Sequence, residues 1–419
     1  MVKVGILGVG TVGGSVAKIL EKNCDIIEAR SGKKIVVARG VSKEPRDEFT
    51  FPITADPMDV INDTEIDIVV EVMGGVDFPF EMVKLALEKG KAVVTANKAM
   101  LAYHRYELQE IAGDIPLMFE ASTAGGIPII GALRNGLSAN HIESIMGIMN
   151  GTCNFILTKM IGEGAHYDTV LKEAQELGYA EADPTFDVGG FDAAHKLLIL
   201  SSIAYGINAK PEDILIEGID TITPTDVEFA KDFEYAIKLL GIAKKVGNGV
   251  ELRVHPTMIP QNSMIAKVDG VMNAVMVRGD AVGETLYYGA GAGGDATASA
   301  VIADIVDIVR GNTNPMLGYR KPLEDGLTLL SRDEITSHYY LRVSVEDKKG
   351  VLAEVTNLLS RLDISIEAMM QKPDIDKDAC VELLFVTHEC QEKSIQEAIG
   401  ELEKLSVVHG KVGMIRIEQ

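Results

Sequence analysis

Over about the first 130 residues, short apolar runs alternate with amphipathic stretches. The run at 2–7, VKVGIL, lacks polar alternation and predicts a strand buried on both faces. In 11–22, Val12, Val16, Ile19 and Leu20 share one face at helical spacing. Further strands are predicted at 34–41, 66–73 and 91–95, and helices at 79–89 and 98–112. Strands alternating with helices of this length imply a parallel sheet covered on both sides.

From about 145 to 290 the texture changes. Helical spacing covers 155–163, 167–177 and 192–205, and β character follows at 250–258 and 274–278. This reads as an α+β unit. The segment 295–310 is a long apolar helix expected to pack back onto the first unit, and a loop-rich stretch with Asn314-Pro315, Gly318 and Pro322 follows. From His338 the order becomes strand, helix (Val351, Leu352, Val355, Leu358, Leu359 and Leu362 on one face), two strands, helix, strand. That is βαββαβ, the ferredoxin-like order, whose open face or edge is expected to pair with a second copy, giving a homodimer or homotetramer. The chain is therefore read as α/β: a Rossmann-type unit over 1–135, an α+β substrate-binding, catalytic and dimerisation unit over 136–312, a linker over 313–337, and a ferredoxin-like unit over 338–419.

Composition narrows the field. A length of 419 residues calls for two or three cores. The net charge of −22 argues against nucleic acid and anionic lipid as partners. The sequence contains no apolar run long enough to span a bilayer, and MVKVGILGVG enters a strand directly, without a signal-peptide pattern. Cys24, Cys153, Cys380 and Cys390 are scattered, which fits a reducing cytoplasm rather than zinc or a redox pair.

Gly8-Val9-Gly10-Thr11-Val12-Gly13 is a GxGxxG run between a strand and a helix, the context a dinucleotide fingerprint requires. The glycines let a pyrophosphate approach the backbone, and the helix N-terminus offers it free N–H groups. At the end of the second strand, Arg39 with Lys43 nearby stands where an NAD site offers Asp or Glu; this favours the 2′-phosphate of NADP, with NAD the alternative.

The densest polar cluster is EADPTFDVGGFDAAHK at 181–196. Asp192 and Lys196, four apart at a helix start, lie on one face, with Glu181, Asp183 and Asp187 preceding. A lysine ringed by carboxylates can transfer protons; it can equally be a salt bridge after a turn. Lys98 follows an apolar strand, where parallel strands point into a ligand crevice. Glu120 precedes a glycine turn whose carbonyls could hold a hard cation or form a turn only.

TANKAMLA, EASTAGGIPII, IMNGTCNFIL, GYAEADPTFDVGGFDAAHKL and YYGAGAGGDATASAV occur in the order seen in homoserine dehydrogenases, and with the fingerprint they cover residues 1 to about 312. The remainder resembles the ACT domains often appended to that family. The resemblance implies reversible reduction of L-aspartate 4-semialdehyde to L-homoserine by hydride transfer, in threonine, methionine and isoleucine biosynthesis. It implies that Lys196 donates the proton, that Lys98 sits beside nicotinamide and substrate, and that Glu181 and Asp187 hold the substrate ammonium. Asp192 would orient Lys196 and the substrate oxygen. Glu120, Thr123, Gly125 and Ile127 match a monovalent-cation loop, for sodium or potassium, whose ligands are mostly backbone oxygens; Gly291 and Gly293 would close over the cofactor. Cys153 has no histidine near it in sequence and reads as a small buried residue rather than a nucleophile. ACT-type units bind an amino acid near the first strand–helix turn, which points at Asp347 and Gly350, with L-threonine the natural effector; Lys349 stands where proline often precedes that glycine. Two rival readings are another amino-acid dehydrogenase and a non-catalytic nucleotide and amino-acid sensor.

Overall fold

The structure, a computed structural model, describes every residue except 313, 324–325 and 374–379; parts of the expected linker at 313–337 therefore lie outside the described residues. The N-terminal apolar runs form a six-stranded, all-parallel sheet in the order Ile53–Thr54, Ile35–Val41, Val2–Leu7, Ile68–Glu71, Ala92–Thr95, Leu117–Met118. The order reverses on either side of Val2–Leu7, so a crevice opens at the carboxyl ends of the strands there. The helix Thr11–Lys22 covers one face. Beside it packs the distant helix Gly294–Val309, whose Ala298, Val301 and Ile305 share a core with Val4, Ile6 and Val16, as its apolar pattern predicts.

The second sheet has twelve strands and is mixed. Its centre is the antiparallel pair Tyr235–Val246 and Gly249–Pro260, flanked by Ile142–Ile148, Met272–Gly279 and Gly283–Ala290. Three of these strands are absent from the sequence reading: Ile142–Ile148, Tyr235–Val246 and Gly283–Ala290. Tyr235–Val246 is the instructive one, because a strand buried on both faces along its middle shows no period-2 alternation. Against this sheet lies Phe191–Tyr205, a helix buried on nearly every side, so its few polar residues are held by the core.

The C-terminal βαββαβ unit is present as expected, with Val351–Arg361 and Glu392–Leu402 on one face of its sheet. Its other face and one edge differ from expectation, because this same chain covers them. The last strand, Gly413–Ile417, pairs in parallel with Gly249–Pro260, Thr257 opposite Arg416, and so fuses the two sheets into one. The open face is covered by the helix Pro224–Asp232: Phe229 packs on Tyr340 with ring centroids 4.5 Å apart, and Arg342 donates to Asp226 at 2.8 Å. Among the described residues, Ile366–Pro373 is the edge of this unit that remains unpaired, and Gly283–Ala290 is the edge at the far end of the fused sheet.

Candidate active site

A cavity of about 920 Å³ lies between the parallel sheet and the second sheet, lined among others by Val12, Lys98, Asp187, Asp192, Lys196 and Gly291. Each polar group there is placed by a local rule of the chain. Lys98 opens the helix Lys98–Ala112, directly after the strand Ala92–Thr95; the preceding Asn97 caps that helix, accepting from the Met100 N–H at 3.1 Å, and donates to the Gly75 carbonyl at 2.9 Å. Asp192 and Lys196 sit one turn apart on Phe191–Tyr205, with the left-handed Gly190 at its N-cap. Asn150 caps Gly151–Glu163 by accepting from the Cys153 N–H at 2.8 Å.

These elements converge on one carboxylate. Lys196 Nζ donates to Asp192 Oδ2 at 2.7 Å and to the Met149 carbonyl at 2.6 Å, while Lys98 Nζ lies 3.0 Å from Asp192 Oδ1. Asn150 Nδ2 donates to Asp187 Oδ1 at 2.8 Å and to Asp192 Oδ2 at 3.0 Å. Burial alone would neutralise Asp192, but the two ammonium groups and the hydrogen bonds from Lys196 and Asn150 outweigh it, so its carboxyl is held far below the usual carboxylate range. Asp187 differs: burial pushes its carboxyl up against the pull of Asn150. Lys196 Nζ is thus pinned to an ionised Asp192, and Asp187 and the exposed Glu181 face the same cavity from the 181–190 segment.

Asn150, the bridge between the two aspartates, was given no role in the sequence reading; a polar residue just before a helical pattern is the only local signal it carries. Two aromatic residues, Tyr179 and Phe186, also line the cavity. Cys153 is fully buried, its Sγ donates to the Asp187 carbonyl at 3.2 Å, and burial beside Asp187 and Asp192 raises the thiol well above its ordinary value. Both features fit its reading as a small buried residue.

The glycine turn has the shape a dinucleotide needs. Gly8 has φ +104, and a Cβ there would meet the Val72 carbonyl at 2.9 Å. A Cβ on Gly13 would lie 2.2 Å from the Gly8 carbonyl, so the third glycine lets helix and strand close together. Gly10, the N-cap of Thr11–Lys22, has open space where its Cβ would stand. Gly291 and Gly293 line the cavity, and a Cβ on Gly125 would meet Gly291 at 2.7 Å, so two loops touch over the crevice. Arg39 lies opposite Gly5, short of the strand end; its guanidinium is 3.6 Å from Asp63 and its Nε is buried without a hydrogen-bond partner. Lys43 is exposed in the loop beyond the strand, and neither residue lines the large cavity.

The 120–127 loop departs in part from the sequence expectation. Each oxygen of the Glu120 carboxylate accepts one hydrogen bond, from the Ile130 N–H at 2.8 Å and the Gly131 N–H at 2.7 Å, so this side chain also caps the following helical turn. The Ile127 carbonyl already accepts from Ile129. Ala124 and Gly125 are both left-handed, at φ 56 and 54, and the hydroxyls of Ser122 and Thr123 are buried without partners. Among the described residues, no three His, Cys, Asp or Glu side chains cluster as a metal site. In the C-terminal unit, Asp347 and Gly350 are exposed on the turn that leads into Val351–Arg361, Gly350 being its left-handed N-cap. Among the described residues, no helix is long and apolar enough to cross a membrane.

Three family models match the chain: "Homoserine dehydrogenase, NAD binding domain" over residues 8–114, "Homoserine dehydrogenase" over 128–306, and "ACT domain" over 339–407. The homoserine dehydrogenase of Helicobacter pylori is 53% identical over 417 residues, spanning 99% of this chain and 98% of that protein. The crystal structure of a homoserine dehydrogenase from Thiobacillus denitrificans superposes with a TM-score of 0.94 at 48% identity, over 100% of this chain and 98% of that one. A hyperthermophilic archaeal homoserine dehydrogenase in complex with NADPH superposes with a TM-score of 0.64 at 28% identity, over 75% of this chain and 99% of that one.

Proposed function

The chain belongs to the homoserine dehydrogenase family, as an oxidoreductase of amino-acid biosynthesis with a Rossmann-type nucleotide domain and a C-terminal ACT domain, and on that premise we propose how its own residues divide the work. Bound at the glycine turn, a nicotinamide cofactor supplies or accepts the hydride. Lys196 is the proton donor: as the aldehyde oxygen of aspartate 4-semialdehyde gains negative charge, Nζ gives it a proton, and in the oxidation of homoserine the same amine takes the hydroxyl proton. Asp192 orients that ammonium, and Lys98, on the other oxygen of Asp192, positions substrate and cofactor. Asp187 and Glu181 hold the substrate ammonium, with Asn150 fixing Asp187 against Asp192. The observation that carries this reading is one ionised carboxylate shared by two lysines at the crevice of a parallel sheet.

The finer assignments follow the same logic. Arg39, with its unpartnered Nε, and Lys43 stand near and just beyond the end of the second strand, where a fold of this kind reads the ribose, and they support NADP as preferred cofactor over NAD. A sodium or potassium ion would be held by backbone oxygens of the 120–127 loop near the unpartnered Ser122 and Thr123 hydroxyls, with Glu120 in a supporting role. L-threonine is the proposed effector, at the Asp347–Gly350 turn. A homo-oligomer would pair the free edge strand Ile366–Pro373. The unpaired thiols suit a reducing cytoplasm.

The test is an assay at 340 nm with homoserine plus NADP and, separately, NAD, with and without threonine. Faster turnover with NADP that slows with added threonine supports the cofactor and effector assignments. Faster turnover with NAD removes the role of Arg39 and Lys43, and threonine-insensitive turnover removes the effector.

A further inference from the structure

Asp187 is carried by a single helical turn, Thr185–Val188, followed by Gly189-Gly190 before the buried helix begins. So short a segment does not hold its own position; the hydrogen bonds and packing at its far side do. The segment at 215–219 supplies them. The Ile219 N–H donates to the Val188 carbonyl at 3.0 Å, and Gly218 lies so close that a Cβ there would stand 2.6 Å from that carbonyl and 3.0 Å from Gly189 Cα. A Cβ on Gly190 would stand 3.4 Å from the Glu217 carbonyl. Asn150 and Cys153 hold Asp187 on one side, and on the other the Val188–Gly190 turn that follows it rests on residues 217–219.

That segment is gripped in turn from the C-terminal unit. Arg416, on the last strand and fully buried, donates to Glu217 through Nη1 at 2.7 Å and Nη2 at 2.9 Å. The same guanidinium donates to the buried Glu392 through Nε at 2.8 Å and Nη2 at 2.5 Å, and Tyr339 donates to Glu392 at 2.9 Å. Two bidentate carboxylates fix the guanidinium plane, so a shift of the last strand carries Glu217 with it.

We propose that the Arg416–Glu217 pair is the joint through which the C-terminal unit positions Asp187, making Glu217 a positioning residue for the substrate ammonium. The inference rests on the reading of Asp187 given above. The cofactor turn lies on another element, and Lys196 stands on the buried helix Phe191–Tyr205 one turn beyond Asp192, so the joint acts first on the KM for homoserine, with a smaller effect on kcat and none on the cofactor KM.

The experiment compares full-length Glu217→Gln, Glu217→Asp and Gly218→Ala with the parent chain in steady-state kinetics. Glu217→Gln keeps volume and removes the charge, and it raises the KM for homoserine about fivefold or more, the lower range of coupling between distinct sites, with kcat within about twofold. Glu217→Asp, with the charge restored, falls between the two. Gly218→Ala leaves the ion pair intact but intrudes on Val188 and raises the same KM, so the proposal stays open to refutation even where Glu217→Gln does not fold. An unchanged KM in a folded Glu217→Gln or Gly218→Ala variant, with at most a loss of thermal stability, reduces the pair to structural glue and overturns the proposal. Asp187→Asn separates the two levels: if it leaves that KM unchanged, the reading of Asp187 itself falls and the joint with it; if it raises the KM while the other variants do not, only the joint falls.

Discussion

Replacing Lys196 with methionine is the sharpest test of the proton-transfer assignment. The side chain keeps nearly the same length in a buried position and loses only the ammonium. Two interactions go with it, the 2.7 Å ion pair to Asp192 and the 2.6 Å hydrogen bond to the Met149 carbonyl. Asp192 is not stranded, because Lys98 at 3.0 Å and Asn150 at 3.0 Å remain. Losing a charge-assisted hydrogen bond and leaving one buried carbonyl unpaired costs roughly 2 to 5 kcal/mol of stability, which thermal unfolding reads directly. The kinetic cost is separate. A positioned acid–base group contributes about a hundred- to ten-thousandfold, or roughly 3 to 5 kcal/mol of the barrier. We expect kcat to fall at least about a hundredfold in both directions. The KM for homoserine should stay within about threefold if Asp187 and Glu181 bind its ammonium as proposed, and a change that small is under roughly 1 kcal/mol. Absorbance at 340 nm gives the rates, and the fluorescence of the reduced cofactor gives its affinity in a chain without tryptophan. A folded Lys196→Met variant that binds cofactor and turns over within about fivefold of the parent would refute the assignment, because that loss is far below what acid–base catalysis supplies. Lys98→Met would then be the variant expected to abolish turnover.

Three further outcomes follow from the same geometry. The native Asp192 carboxyl is held below its unfolded value of about 3.9, so its contribution to stability is present above that pH and lost as pH falls through the native value; acid titration should show Asp192→Asn less stable than the parent at neutral pH, the gap narrowing below about pH 4, and a pH-independent gap contradicts this. Gly13→Ala places a Cβ 2.2 Å from the Gly8 carbonyl and should abolish cofactor binding with lowered thermal stability, whereas near-normal affinity by titration refutes the close-approach argument. Cys153→Ala should keep kcat within about threefold, because burial holds the thiol protonated and hydride transfer needs no covalent intermediate; inactivity in a folded variant revives a thiol mechanism.

Local pattern alone determined much of this protein. Thr11–Lys22 and Lys98–Ala112 have the bounds expected from apolar spacing and flanking residues, and the strand–glycine turn–helix context of the fingerprint lies within fourteen residues. The pairing of Asp192 with Lys196 was legible for the same reason, since four residues on a helix always share a face. Tertiary structure decided what depends on partners remote in sequence. Glu120 stood out as a carboxylate before a glycine turn, but its use as a helix cap depends on Ile130 and Gly131 folding back toward it. Asn150 stands 37 residues from Asp187 and 42 from Asp192, and no pattern short of the packed core marks it as their bridge. The last strand could be recognised as a strand from its own residues. Its pairing with Gly249–Pro260, which joins the regulatory and catalytic sheets, could not, because a strand's period encodes which face is buried and says nothing about which distant edge completes its hydrogen bonds.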